Sequence, residues 1–284
     1  LPVKPFTLNI RGELREFTRP VVMGIINATP DSFYSGSRRS YSEIAATAAE
    51  MTEHGAGIID LGAYSSRPGA ADVSEKEEIE RIRLAMKEIR SAVPSALVSV
   101  DTFRSEVARI AVEECGADII NDISGGMLDK LMIQTVASLR VPYIIMHMRG
   151  TPATMSGLCD YPEGVTAGVV KELSVSVSKA EEAGICDMII DPGLGFAKTV
   201  EQNYELLRNT KLIGDTFNLP VLIGLSRKSM LTKPLGISAD EALPATIAAN
   251  TIALQGGASI LRVHDVEAAR QCVDVYGLSS QTNF

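Results

Sequence analysis

The sequence predicts an α/β fold, a closed (β/α)8 barrel of the TIM type with a short N-terminal β-hairpin, and two observations carry that prediction. Short apolar runs alternate with longer segments of helical period to the end of the 284-residue chain, and the alternation counts out to eight strand–helix pairs. Each of these strand runs also ends in, or leads into, hydrogen-bonding or charged residues, as the functional face of such a barrel demands. Parallel strands with right-handed crossovers make closure the economical arrangement, with an open doubly wound sheet as the alternative.

The leading segment Thr7–Phe17, centred on Arg11-Gly12, reads as the hairpin closing one end of the barrel. Val21–Ile26 is the first barrel strand, followed by a helix over Tyr41–His54 opened by the S-x-x-E pair Ser40 and Glu43. Gly57–Leu61 is the second strand; Ser74 and Glu77 open its helix, which places Ile79, Ile82, Met86 and Ile89 on one face. Leu97–Val100 precedes a helix over Ser105–Cys115, and Asp118–Asn121 precedes one near Asp129–Leu139. Pro142–Met148 is the fifth strand, then a loop over Arg149–Gly164 and a helix over Val165–Ala183. Met188–Ile190 with Val200–Asn209, and Val221–Leu225 with a helix opened by Ser238 and Glu241 and carrying Ile247–Leu254, come next. Ile260–Val263 and Val266–Val275 complete the count. No compositional break divides the chain, so it reads as one domain over 1–284, with the hairpin in 1–19 and the barrel in 20–276.

Composition narrows the function. A net charge of −8 argues against nucleic acid or an anionic membrane surface as partner, so an anionic substrate needs a local cluster of cations. No apolar run approaches membrane-spanning length, and the N-terminal residues lack the apolar stretch of a signal peptide. Cys115, Cys159, Cys186 and Cys272 have neither metal-ligand nor redox spacing and read as reduced, buried thiols, which points to the cytoplasm.

The strand ends gather Asn27, the run Ser65-Ser66-Arg67-Pro68, Asp101, Asn121-Asp122, His147, Asp191, Ser226-Arg227-Lys228, Arg262 and His264. Singly, most have a bland role: Asp122 and Asp31 as turn or capping residues, His54 as a helix C-cap, His147 as a hydrogen-bonded barrel histidine. Together they describe an anion site beside a polar pocket. Arg67, Lys228, Arg262 and His264 suit a phosphate or diphosphate, and Arg262 and His264, two residues apart, point to one side of their strand. Asp101, Asn121 and Asp191 suit a planar heterocycle rich in N–H donors. No Ser–His–Asp arrangement, H-E-x-x-H zinc site or dinucleotide fingerprint is present.

At these motifs the sequence resembles the dihydropteroate synthase family, over essentially the whole chain. The matching segments, in family order, are Met23–Phe33, Ser66–Gly69, Ser99–Thr102, Ile120–Ile123, Met146–Met148, Asp191–Gly193, Ser226–Ser229 and Arg262–Asp265. The resemblance implies a (β/α)8 barrel that condenses a 6-hydroxymethyl-7,8-dihydropterin diphosphate with 4-aminobenzoate, giving 7,8-dihydropteroate and diphosphate for folate synthesis. Carried over by motif, Asp101, Asn121, Asp191 and Lys228 hold the pterin between Met146 and Phe196. Asn27, Arg67, Arg262 and His264 hold the diphosphate, with Asn27 also touching a Mg2+ ion, and Phe33, Ser66, Pro68, Ser226 and the stem of Lys228 border the aminobenzoate. Asp101, Lys228, Arg262 and His264 are the expected catalytic set, and a homodimer is the expected assembly.

The chain departs from the family at Tyr34–Arg39 and Ala63–Ser66, next to the aminobenzoate contacts and so bearing on sulfonamide sensitivity. Two rival readings remain at this point. A barrel carrying methyltetrahydrofolate in methyl transfer would keep Asp101, Asn121 and Asp191 but has no need of Lys228, Arg262 and His264 around a diphosphate. A non-catalytic pterin-binding homologue would have lost Asn27 or the cations of the last strand, and all are present.

Overall fold

The computed structural model describes residues 4–28, 37–64 and 73–280. The chain opens with an antiparallel hairpin of β1 (Phe6–Ile10) and β2 (Glu13–Phe17). Its turn residues Arg11 and Gly12 both take positive φ, 54° and 85°, the mirror-image turn whose twist matches the flanking strands.

Eight parallel strands then form the barrel: β3 (Val21–Asn27), β4 (Ile58–Gly62), β5 (Leu97–Asp101), β6 (Ile119–Asp122), β7 (Tyr143–Met146), β8 (Met188–Asp191), β9 (Leu222–Ile223) and β10 (Ile260–Val263). Neighbours run β8-β7-β6-β5-β4-β3-β10-β9, and a parallel bridge from Ile190 to Val221 joins the two ends into a ring. Around it lie α1 (Ser37–Glu53), α2 (Glu75–Ala92), α3 (Ser105–Glu113), α4 (Met132–Leu139), α5 (Val165–Glu182), α6 (Val200–Arg208), α7 (Thr210–Phe217), α8 (Ser229–Leu235), α9 (Leu243–Gln255) and α10 (Val266–Ser280). The expected closed barrel with its leading hairpin is the fold found.

Two layers of core hold it. Outward residues of the strands, such as Ile59, Val98, Ile120 and Ile190, pack on Ile82, Met86 and Ile89 of α2 and on the matching faces of the other helices. Each such side chain, fully buried, contributes about 1.5–3 kcal/mol. Inward residues near the strand starts, with Leu8 and Ile10 of the hairpin, form a second cluster that plugs one end of the barrel. Asp118, at the start of β6, ties hairpin to barrel: it accepts from Arg11 Nε at 2.5 Å, Arg90 Nη2 at 2.8 Å and Val98 N at 2.9 Å.

Several local expectations change. Of the S-x-x-E pairs, Ser74 with Glu77 caps its helix as expected, Ser74 Oγ accepting from Glu77 N at 3.3 Å. Helix α1 begins at Ser37, which leaves Ser40 inside its first turn. Ser238 and Glu241 bond to each other in a turn that closes before α9 begins at Leu243, with Pro244 in its first turn. Asp129 precedes α4, and its carboxylate accepts from Ser105 N at 2.7 Å, capping the neighbouring α3. Helices α7 and α8 are additional to the eight expected pairs, and β9 is only two residues long. The four cysteines are free thiols, but only Cys272 is buried; Cys115 and Cys159 are half-buried and Cys186 is exposed, contrary to the expectation of buried thiols. No helix among the described residues is long and apolar enough to cross a membrane.

Candidate active site

Side chains alternate across a strand, so the inward residues of the last strand turn face one another at the barrel mouth. Arg262 of β10 reaches across the interior: Nε donates to Asp60 Oδ2 at 2.6 Å and Nη2 to Asp101 Oδ2 at 2.8 Å. Asn121 of β6 donates through Nδ2 to the same Asp60 oxygen at 3.2 Å. Asp60 is fully buried, whereas Asp101 keeps 23% of its side chain exposed to the mouth. Burial raises Asp101 above the usual carboxylate range; Arg262 pulls the other way, and Asp60, Glu78 and Asp122 add to the rise. Burial works against the Arg262 charge too, but Asp60 and Asp101 more than offset it, so the guanidinium stays protonated.

Asp191 closes β8 in register with Met146 of β7. Its Oδ1 accepts from Gly193 N at 2.7 Å, and burial raises its pKa while Lys228 and then Arg262 draw it back. Lys228 precedes α8 and turns its ammonium inward, donating to Leu194 O at 2.5 Å and lying 4.9 Å from the centre of the Phe196 ring. Burial brings Lys228 down to about 8, with Asp191 resisting. Met146 and Phe196 belong to one apolar cluster with Ile123, Met148 and Met155. The result is a mouth with carboxylates and an amide on one side, an ammonium and a guanidinium among them, and an apolar wall alongside.

At the rim, Asn27 is exposed at the end of β3. His264 Nδ1 lies 3.0 Å from Ser226 Oγ, which also accepts from His264 N at 3.3 Å, so the serine fixes the imidazole after β10. Arg227 between them is held by Asp265 through Nε at 2.9 Å and Nη2 at 2.6 Å, a scaffold role. Phe33, Ser66, Arg67 and Pro68, expected around the aminobenzoate and diphosphate, lie outside the described residues, as does Asp31.

The structure thus brings Asp101, Asn121, Asp191, Lys228, Arg262 and the Met146–Phe196 wall together, with Ser226 and His264 paired at the rim beside Lys228. The bland readings of two others also hold. Asp122 organises a turn by accepting from Ser124 N, Ser124 Oγ, Gly126 N and Tyr143 Oη at 2.6–2.8 Å. His147 is buried and hydrogen-bonded on both ring nitrogens.

Sequence reasoning missed three groups. Asp60 lies inside an apolar run, and the signal was there: a lone carboxylate two residues after inward-facing Ile58. Glu78 is buried on the packed face of α2, where it accepts from Thr102 Oγ1 at 2.7 Å and Arg104 Nη1 at 2.6 Å, fixing the loop after Asp101. Burial raises its pKa, and these two donors counter that. Lys198, nine-tenths buried behind Phe196, carried no sequence signal. Among the described residues no group of three or more His, Cys, Asp or Glu is arranged to hold a metal ion.

Comparison with known proteins agrees with this geometry. The model of the pterin binding enzyme family matches residues 23–264. A dihydropteroate synthase of Synechocystis is 42% identical over 90% of this chain and 89% of its own length. A folic acid synthesis protein of Pneumocystis carinii is also 42% identical, over 93% of this chain; there the match spans only 37% of the relative's length. Among solved structures, the dihydropteroate synthase of Xanthomonas albilineans with 4-aminobenzoic acid superposes with a TM-score of 0.89 at 35% identity, covering 98% of this chain and 99% of that one. The polar mouth, its apolar wall and these matches lead to one assignment: the chain belongs to the pterin-binding enzyme family, among its dihydropteroate synthases.

Proposed function

We propose that this chain joins a 6-hydroxymethyl-7,8-dihydropterin diphosphate to 4-aminobenzoate, releasing diphosphate and forming 7,8-dihydropteroate. The observation that supports it best is the convergence of Asp101, Asn121, Asp191 and Lys228 beside Met146 and Phe196. A planar pterin presents several N–H donors along one edge, which carboxylates accept in pairs, and its faces need apolar contact. The 4-aminobenzoic acid carried by the Xanthomonas relative is the second substrate of this reaction.

The bond that breaks joins the pterin methylene to a diphosphate oxygen, and the bond that forms joins that carbon to the aromatic amine. An aromatic amine is a weak nucleophile, so early departure of diphosphate lowers the barrier. Asp101 opposes positive charge building on the methylene, a preorganised charge in a partly desolvated mouth. Arg262 donates two of its five N–H groups to Asp60 and Asp101 and keeps three for the departing diphosphate. On this reading Asn27 and His264, at the rim, share the diphosphate with Arg67, and the aminobenzoate is the partner of Phe33, Ser66, Pro68, Ser226 and the stem of Lys228.

Mg2+ fits this donor set as an ion carried by the diphosphate. It prefers oxygen ligands and keeps several waters, and Asn27 stands exposed at the rim to supply one amide oxygen. Once bound, it would add Lewis-acid stabilisation of the leaving diphosphate. A homodimer is supported by α9, which is apolar on nearly every face, with Ile247 and Ile252 exposed there and Val275 and Leu278 exposed on neighbouring α10. A cytoplasmic location accords with four free cysteines.

The test is release of diphosphate by the purified chain. Release that requires both the pterin diphosphate and 4-aminobenzoate supports the reaction. Release without the amine, or none with both substrates and Mg2+ present, overturns it.

A further inference from the structure

The loop from β8 to α6 carries two parts of the mouth, the Phe196 ring and the Leu194 carbonyl that receives Lys228. Gly193 and Gly195 allow its tight course freely, but one residue, Ala197, is held in a conformation it does not choose unaided. Gly193, Gly195 and Ala197 all have positive φ, and for alanine at 50° that conformation costs about 1–2 kcal/mol. A Cβ on Gly193 would fall 2.0 Å from the His147 carbonyl oxygen, so the loop also presses against the end of β7. Something buried must hold it there.

That group is Lys198. Its ammonium donates to Gly193 O at 3.0 Å and Phe196 O at 2.8 Å, and lies 2.9 Å from His147 Nδ1. An ammonium has three donors and no acceptor, so the count closes with Lys198 charged and His147 Nδ1 bare. The imidazole proton then sits on Nε2 and is donated to Glu172 Oε2 at 2.9 Å. Arg149 holds both oxygens of Glu172 through Nε, at 3.0 Å to each. Burial keeps His147 neutral, its pKa lowered to about 4, in agreement with this proton count. Burial also pulls Lys198 down to about 7, with Asp191 foremost among the groups opposing it.

We infer that Lys198, oriented by the chain His147–Glu172–Arg149, is a positioning residue for the pterin: it fixes the loop that sets the Phe196 wall and the carbonyl partner of Lys228. The inference rests on the reaction proposed above. Lys198 is expected to touch neither substrate; it acts through Phe196 and the Lys228 ammonium, so its loss should tell on the pterin far more than on 4-aminobenzoate, which is expected to meet only the Lys228 stem and residues of other loops.

The experiment compares the parent with Lys198→Met, His147→Leu and His147→Asn. It records pterin diphosphate affinity by calorimetry, KM for each substrate, and thermal unfolding. Lys198→Met and His147→Leu should weaken pterin binding and raise its KM about tenfold or more, the scale of one lost hydrogen bond to a charged group. The KM for 4-aminobenzoate should stay within about twofold on that same reasoning. His147→Asn, whose Oδ1 can still accept from Lys198, should recover pterin affinity to within about threefold of the parent. Equal rises in both KM values, or an asparagine variant no better than the leucine one, would overturn the inference. Should Lys198→Met fail to fold, the two His147 variants decide the matter alone. A parent that binds no pterin diphosphate would sink the proposed reaction and this inference with it, whereas a binding parent with unaffected variants would sink only the inference.

Discussion

Two regions of the barrel interior lie one strand step apart and differ in every chemical respect. Near the hairpin the inward residues include Ile58, Leu97, Ile119, Ile189 and Ile260, all buried in one apolar cluster. Two residues further along the same five strands stand Asp60, Ser99, Asn121, Asp191 and Arg262. The interval is about 6.6 Å of strand. Over that distance the barrel passes from a plug held by non-directional burial to a mouth held by directed ionic hydrogen bonds. The plug should tolerate small losses of volume. The mouth should not tolerate the loss of a partner, because a charge left behind has no water to turn to.

The strongest way to break the polar region is Arg262→Met. It strips the buried Asp60 carboxylate of its 2.6 Å partner and Asp101 of its 2.8 Å partner. Breaking one side of a buried pair costs about 3–5 kcal/mol, so a marked fall in denaturation midpoint should accompany loss of turnover. Adding Asp60→Leu to that variant removes the stranded charge and should restore most of the stability but none of the turnover. A single variant as stable as the parent would mean that Asp60 does not depend on Arg262.

Asp101→Asn separates the two roles. The amide can still accept from Arg262, and Asp101 is the member of the network that reaches the open mouth, so stability should change by less than about 1 kcal/mol. Turnover should fall about 10²–10³-fold, the usual effect of removing one preorganised electrostatic partner from a transition state. Measured with both substrates saturating, turnover within twofold of the parent would take Asp101 out of the chemistry.

The same contrast explains what the sequence made legible. Eight strands could be read because their outward residues form β-branched runs, and the residues at their ends were visible as polar interruptions. Asp101, Asn121, Asp191 and Arg262 were found in this way. Asp60 was not, because Leu61 and Gly62 follow it and the strand runs through it. Glu78 stands in a charged helix start among other acids, with nothing in the sequence to single it out, and the loop carrying Thr102 and Arg104 engages it. Lys198 follows a short Gly-rich loop, and its partners Gly193, Phe196 and His147 are brought together by folding alone. Helix α8 was hidden by Pro234 within its seven residues. The S-x-x-E pairs were over-read for a related reason: the spacing allows two side chains to meet, but whether a helix follows depends on the next turn. Ser238 and Glu241 meet without one.

The smallest expected effect tests the other side of the comparison. Ile144 of β7 is fully buried in the plug, two residues before Met146 of the apolar wall on the same strand. Ile144→Val removes one methylene from a packed, apolar site and leaves the ion pairs and hydrogen bonds of the mouth untouched. Such a change costs about 0.5–1.5 kcal/mol, the sum of lost transfer energy and a small cavity. Because strand direction is set by the backbone ladder to β6 and β8 and not by that methylene, Met146 should keep its place. Turnover and both KM values should therefore match the parent while the unfolding midpoint falls slightly. A loss of turnover out of proportion to the loss of stability would show that plug and mouth are mechanically coupled along β7, and that the barrel interior does not divide at the step from apolar to charged.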